Sequence, residues 1–299
     1  MAWSEMPPVE RRAAEKKIAS PPATPAPASR RLIVNADDFG RSRSINEAVI
    51  RAHREGILTT SSLMVNEAAC AEAVELAKQN PKLGTGLHLT LLMGHSALPP
   101  KEIPGLVNEQ QEFLNDPVKV GFQYFFRREL REQLRKEIHA QFERFRATGL
   151  PLDHVNGHLH LHLHPTVFRI LMEDAQTLGI ERMRLTRDPF WTDISLARGR
   201  RLYRATHALI YCILSGRARA SFEKRRIRHT HRVFGLLQND RVDENYISKL
   251  LPVLPAGDSE LYSHPSLDNF KHEFEALISP RVKEQVKKLD IQLIRHQDL

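Results

Sequence analysis

LIVNADDFGRSRSINEAVIRAHREG, residues 32–56, is the stretch that decides the fold. Leu32, Ile33 and Val34 open an apolar run that ends in Asp37-Asp38-Phe39-Gly40, the pattern of a buried parallel strand with polar residues at its carboxyl end. Ser44 and Glu47 then offer a capping box, and Ile45, Ala48, Val49 and Ala52 keep helical spacing until Gly56. The unit recurs. SSLMV (61–65) predicts a second strand and 67–79 a second helix, stopped by Asn80-Pro81. GTGLHLTL (84–91) predicts a third strand, followed by a Pro/Gly-rich loop to about residue 121. Leu130, Leu134, Ile138, Phe142 and Phe145 form one face of a long helix ending at Gly149. A strand is expected at 152–158, then a helix with Pro165 at its first position and Gly179 past its end. RMRLT, RVFGLL, ELYSH and IQLI are strand-like runs beyond it. Six to eight such units predict an α/β fold, a distorted TIM-like barrel of parallel strands, with an open doubly wound sheet as the alternative.

The 299 residues, 41% hydrophobic, suffice for one large domain. Residues 1–31, which include SPPATPAPAS, lack apolar periodicity and are expected to form a disordered leader. That leaves 32–299 as a single barrel domain with a basic insertion at about 190–232. No apolar run is long enough to span a bilayer, and the first residues lack the apolar centre of a secretory signal. Cys70 and Cys212 are too few for a disulfide framework or a thiolate metal site. A cytoplasmic location is therefore expected, with any membrane contact peripheral and on the inner face.

The net charge of +8 is uneven: 198–232 holds eleven Lys/Arg against Glu223 alone, so the rest of the chain sums to −2. Within that segment an apolar run at 208–214 is flanked by arginines, and Arg200, Arg201, Arg204, Arg217, Arg219, Arg225 and Arg226 are expected to face an anionic membrane surface. The plainer account is a solvated basic face beside a packed helix. Nucleic acid is disfavoured, because only Tyr203, Tyr211 and Phe222 interleave the charges and no recognition motif is present.

Histidine marks the chemistry. Five of fifteen fall in HVNGHLHLHLH, at 154, 158, 160, 162 and 164, with aliphatic residues between them. In extended chain all five imidazoles face one way, roughly 6.6 to 7 Å apart, so one ion takes only one or two of them. The others are left as supporting groups, substrate contacts or helix caps. Asp37 and Asp38 point to opposite sides if the strand stays extended, so one can bind metal while the other accepts a proton. His88 in GLHLTL and His264 in ELYSHP fall at the ends of two further strands, where barrels of this kind keep their sites.

LIVNADDFGRSRSINEAV, TTSSLMVNEAA, LGTGLHLTLLMG, LDHVNGHLHLHLHP and ELYSHP occur in the order and spacing of the YdjC-like carbohydrate deacetylases, which the chain resembles over about residues 31–299. The resemblance implies a distorted (β/α) barrel that removes acetyl groups from N-acetylated amino sugars with one divalent metal, Mg²⁺ or Zn²⁺. It implies Asp38, His88 and His158 as ligands, Asp37 as general base and His264 as general acid. VNGHLHLHLHP and HTHRVFGLL most resemble the hopanoid biosynthesis-associated branch, which implies an N-acetylglucosaminyl lipid as substrate. A soluble chitooligosaccharide deacetylase of the same family is the alternative; a non-catalytic, membrane-associated protein holding a structural metal is the alternative from another class. Asn156 stands where many family members carry an acid, and it can hydrogen-bond a ligand but cannot serve as a base. His154 and His160 are candidates for supporting the ligands or touching substrate.

Overall fold

A computed structural model describes residues 29–187, 189–196, 201–238 and 241–299, apart from the side chains of Arg201 and Tyr203. The expected leader thus lies outside the described residues up to position 28, as does Arg200. Seven parallel strands form the sheet: β1 (Arg30–Phe39), β2 (Thr60–Leu63), β3 (Gly84–Leu89), β4 (Val155–Gly157), β5 (Arg232–Phe234), β6 (Gly257–Ser263) and β7 (Ile291–Ile294). Their order is β4-β3-β2-β1-β6-β5, with β7 also on β1. One edge of β1 pairs with β6 from Arg30 to Ala36; the other pairs first with β7, at Arg30–Ile33, and then with β2 from Asn35 onward. The sheet curls, and 181–187 bridges its open side. Val155 N donates to Arg182 O (3.0 Å), Arg184 N to Val155 O (3.0 Å), and Met183 N to Arg228 O (3.1 Å). This is the distorted barrel that the βα pattern predicts, with RMRLT forming isolated bridges rather than a full strand.

Alternation along β1 sorts its side chains. Leu32, Val34 and Ala36 join the core under the helices, with Ala48, Val49 and Ala52 of helix Arg43–Glu55. Asn35 and Asp37 take the other face and enter a polar barrel interior, where both are fully buried. Burying polar groups is tolerable only when each finds a partner, and here they find one another. Gly84 and Gly86 of β3 make the room: a Cβ on Gly86 would lie 2.5 Å from the His154 ring, and one on Gly84 2.8 Å from the Asp153 carboxyl.

Three local expectations need correction. Helix Arg43–Glu55 is capped by Ser42, whose hydroxyl accepts from Ile45 N, while Ser44 accepts from Leu267 N instead. The loop expected to run to about 121 already contains helix Pro117–Phe126, started by an Asp116 cap and Pro at its first turn. Most consequential, the histidine run is not a strand. Extended chain stops at Gly157, and His158–Leu163 coils into a 3₁₀ turn with Leu159 (φ 47) and His160 (φ 59) left-handed. Alternation therefore does not align the imidazoles; each goes to a different neighbour.

Candidate metal centre and cleft

Backbone geometry brings both carboxylates of the Asp pair to the same end of the barrel. Asp38 is left-handed (φ 65), so β1 bends at its last turn instead of carrying Asp38 to the helix side. For most residues other than glycine that conformation costs about 1–2 kcal/mol, and Asp is among the few that adopt it more readily. Asp38 Oδ1 then lies 2.9 Å from His158 Nδ1 and 3.3 Å from His88 Nε2, and the two nitrogens are 3.3 Å apart. Asp38 Oδ2 accepts from Arg41 Nη1 (2.8 Å), which leaves Oδ1 facing the histidines. The imidazole planes stand at 81°, so their in-plane lone pairs can meet at one point. Donor separations of this size suit an ion about 2.0–2.2 Å from each.

Asn156 fixes which nitrogen of His88 is free. Parallel register sets His88 opposite Asn156. Asn156 Nδ2 donates to Asp37 Oδ1 (3.0 Å) and Ser62 Oγ (2.8 Å), so its carbonyl oxygen accepts from His88 Nδ1 (2.8 Å). The His88 lone pair is thereby placed on Nε2, toward Asp38. One neutral amide supports a ligand on one side and a carboxylate on the other, a geometry an acid could not supply.

Asp37 is held by a residue that sequence reasoning missed. Fully buried Arg184 donates to both carboxylate oxygens (2.7 and 3.0 Å) and reaches Glu260 at 2.7–2.8 Å. Asn35 Nδ2 adds a further bond to Asp37 (2.7 Å). Burial raises the Asp37 pKa, but the charge of Arg184, with His88 and His264 nearby, overcomes it and holds the carboxyl far below its ordinary range. Beyond Arg184 the network continues. His296 lies 3.5 Å from both Glu260 and Asp153, and although burial opposes its charge, those two carboxylates raise its pKa to about 9. Asp153 also accepts from His154 Nδ1 (2.9 Å), whose Nε2 meets Ser62 Oγ (2.9 Å). Burial, then His296, lowers the His154 pKa to about 4, so that ring is neutral. Alternating aliphatic and basic letters in RMRLT give no hint that the second arginine is dry.

The remaining histidines divide by neighbour. His162 Nε2 donates to Arg184 O (3.0 Å), and His164 caps helix Pro165–Glu173 while donating to Gly121 O (3.1 Å). His160 is buried, its Nδ1 has no hydrogen-bond partner, and burial with Arg184 nearby pushes its pKa well down. His264 is half-buried, edge-on to Tyr262 at 4.8 Å, with its backbone N–H on Glu273 (2.6 Å).

Asp38, His158, His160 and His264 border a cavity of about 920 Å³. Beyond these groups the walls are largely apolar, with Arg41, His164, Thr186 and His207 also on the lining. Helix Pro117–Phe126 contributes Phe122, Phe125 and Phe126, which stay 61%, 50% and 67% exposed, and helix Arg201–Arg225 contributes Ile210 and Leu214. Arg204, expected at a membrane surface, is buried instead, within 3.5 Å of Asp193 and Gln238. It lies on the inner face of its helix, with Ser215, Ala218 and Phe222, because a 25-residue amphipathic helix must bury one stripe. Arg217, Arg219, Arg225 and Arg226 are exposed, Arg219 on Glu223 and Arg225 on Met172 O. The outer stripe of the same helix carries Leu202, Leu209 and Ile213 in solvent.

Comparison with known proteins gives the chain's family. The family model of the YdjC-like proteins matches residues 31–288. The chain belongs to the YdjC-like family. Among curated relatives, a carbohydrate deacetylase of Brevibacillus brevis is 38% identical over 49% of this chain and 56% of its own length. A chitooligosaccharide deacetylase of Proteus mirabilis is likewise 38% identical, over 48% and 55%. The chain thus spans little more than half the length of these YdjC-like relatives. A solved structure from Enterococcus faecalis V583, provisionally described as a cellobiose-phosphate cleavage protein, superposes with a TM-score of 0.68 at 22% identity, over 91% of this chain and 99% of that one, and shares the YdjC-like fold.

Proposed function

We propose that this YdjC-like chain is a divalent-metal-dependent deacetylase that hydrolyses the acetamide of an N-acetylglucosaminyl group carried on a membrane lipid, a hopanoid being the class its sequence most resembles. The observation that carries this reading is a two-carboxylate, three-histidine cluster opening into an apolar cleft. Asp38, His88 and His158 would hold the ion, and their mixed oxygen–nitrogen set suits Zn²⁺ or Mg²⁺. When bound, such an ion polarises a carbonyl and acidifies water. Asp37, with four hydrogen bonds to its carboxylate, stays ionised but is a weak base, so it suits only a water already acidified. Asp37 takes one water proton, the hydroxide adds to the acetyl carbon, and the C–N bond breaks. His264 delivers the proton to the departing amine, leaving acetate and a free amino sugar.

The apolar part of the walls is what supports the lipid reading over the oligosaccharide one. A soluble oligosaccharide presents hydroxyls and water-seeking edges, whereas Phe122, Phe125, Phe126 and Ile210 offer none a partner. An apolar aglycone satisfies them, and burying it contributes roughly 25 cal/mol per Å². The exposed outer stripe of helix Arg201–Arg225 and the adjoining arginines suit a peripheral position on an anionic membrane face. Among the described residues no helix is long and apolar enough to cross one. The names of the relatives favour a second reading, chitooligosaccharide deacetylation.

Metal content and acetate release, measured on N-acetylglucosaminyl lipid and on short N-acetylglucosamine oligomers, separate these readings. Turnover of the lipid by wild type, with metal kept and activity lost in Asp37→Asn, is the expected result. Preference for the oligomers moves the assignment to the second reading, and metal without hydrolysis of either substrate overturns catalysis. Flotation with anionic liposomes tests the membrane contact; no binding at physiological salt removes it.

A further inference from the structure

Leu159 and His160 are consecutive left-handed residues, neither of them glycine, immediately after the candidate ligand His158. Backbone held in a disfavoured region persists where surrounding structure enforces it, and such places concentrate at ligand clamps. This turn points its two side chains at one cavity in two different environments. Leu159 is 50% exposed and lines the apolar cleft. His160 is 9% exposed, borders the same cavity deeper in, and is gripped edge-on by Tyr211 and Tyr262, each 5.4 Å away between ring centroids. Its Nδ1 has no partner; His162 Nδ1 lacks one too, but His162 is bonded through Nε2 to Arg184 O, and the other histidines of the 154–164 run each have a bond to protein. A buried polar atom without a partner calls for one to be supplied.

We propose that the Leu159–His160 turn reads the junction of sugar and aglycone: His160 hydrogen-bonds one ring hydroxyl of the amino sugar, and Leu159 packs on the first apolar carbons beyond it. This rests on the deacetylase reading above and adds a specificity element to it. Substrate supplies the missing bond and the strained turn holds the imidazole where that hydroxyl arrives. The acetamide itself is left to the Asp–His cluster.

Monodeoxy analogues of the N-acetylglucosaminyl lipid, lacking the 3-, 4- or 6-hydroxyl in turn, test this on the metal-loaded protein. Wild type is expected to lose about 10- to 100-fold in kcat/KM with one analogue, because the imidazole is then left unpaired. In His160→Gly, whose backbone accepts the left-handed turn, that penalty disappears and all analogues react alike. A merely structural role for His160 would lower every substrate equally and preserve the discrimination. Leu159→Gly should raise KM for the lipid several-fold and leave a water-soluble N-acetylglucosaminide unaffected. His160→Asn, which also tolerates the turn, keeps the comparison available if the glycine variant does not fold. The same discrimination is read as Kd by calorimetry, so wild type that binds the lipid and releases no acetate defeats the deacetylase reading alone. Unchanged discrimination in the His160 variants, by kcat/KM and by Kd, overturns the assignment.

Discussion

Among the described residues two Asp–His–His triads are buried in one barrel, and their surroundings give them different work. Asp38, His88 and His158 stand at the carboxyl ends of strands beside the cleft; Asp153, His154 and His296 are sealed behind β3. In the first the imidazoles cross at 81°, so their lone pairs converge. In the second they stack at 22° with centroids 4.0 Å apart, and two nearly parallel planes give one ion no common point. The first therefore suits a metal. The second carries its positive charge on a proton of His296, between Asp153 and Glu260, and backs up the Arg184–Asp37 pair. The same three residue types thus make a candidate reaction centre or a buried ionic brace, according to ring orientation and access.

The largest effects should fall on the first triad and on Asp37 beside it. Asp37→Asn should cut acetate release by about 10³-fold or more with metal content unchanged, and His158→Ala should lose both; metal analysis beside acetate release checks the pair. His296→Ala should keep its metal, and loss of metal there would erase the distinction between the triads. Next comes the brace. Arg184→Met leaves Asp37 and Glu260 buried without their cation and should lower unfolding free energy by about 3–5 kcal/mol in a denaturant titration.

The pH dependence sharpens the comparison. His296 titrates at about 9 when folded against an ordinary 6.5, so its contribution is full below 6.5 and is lost as pH rises through 9. Denaturation midpoints should fall between pH 7 and pH 10, and His296→Gln should flatten that fall. Glu260, lowered to about 2 from 4.5 against the opposing effect of burial, gives the opposite limb: its contribution is full above 4.5 and goes as pH drops through 2. Smaller again, Gly86→Ala should cost about 1–3 kcal/mol by driving a methyl into the His154 ring, whereas Gly121→Ala, with nothing near its Cβ position, should cost none. Arg219→Gln, on the exposed face, should stay within about 0.5 kcal/mol.

Much of this was legible in order and composition. The apolar run into Asp37-Asp38, the repeated βα units and the late ELYSH strand are local patterns, and local patterns survive folding because strand and helix periods are set by backbone geometry. Spacing alone could not choose among the histidines; the family resemblance implied Asp38, His88 and His158, and folding brings these within 3.3 Å of one another. Reading the histidine run as extended chain went astray. Alternation predicts a common face only while φ stays negative, and nothing in HLHLHLH announces that Leu159 and His160 turn left-handed. Arg204 misled for a related reason: charge suggests the surface, but Asp193 on a neighbouring helix lets it be buried.

Sequence alone determined which residue types were available and which strand each would end, because those follow from spacing within a few residues. Tertiary structure alone decided that Arg184 would neutralise Asp37 from 147 positions away, that Asn156 would set the tautomer of His88, and that helices at 117–126 and 201–225 would line the cleft beside the triad. Such pairings are set by barrel closure. A lone pair's direction and a charge's partner depend on neighbours that the chain meets only once it has folded.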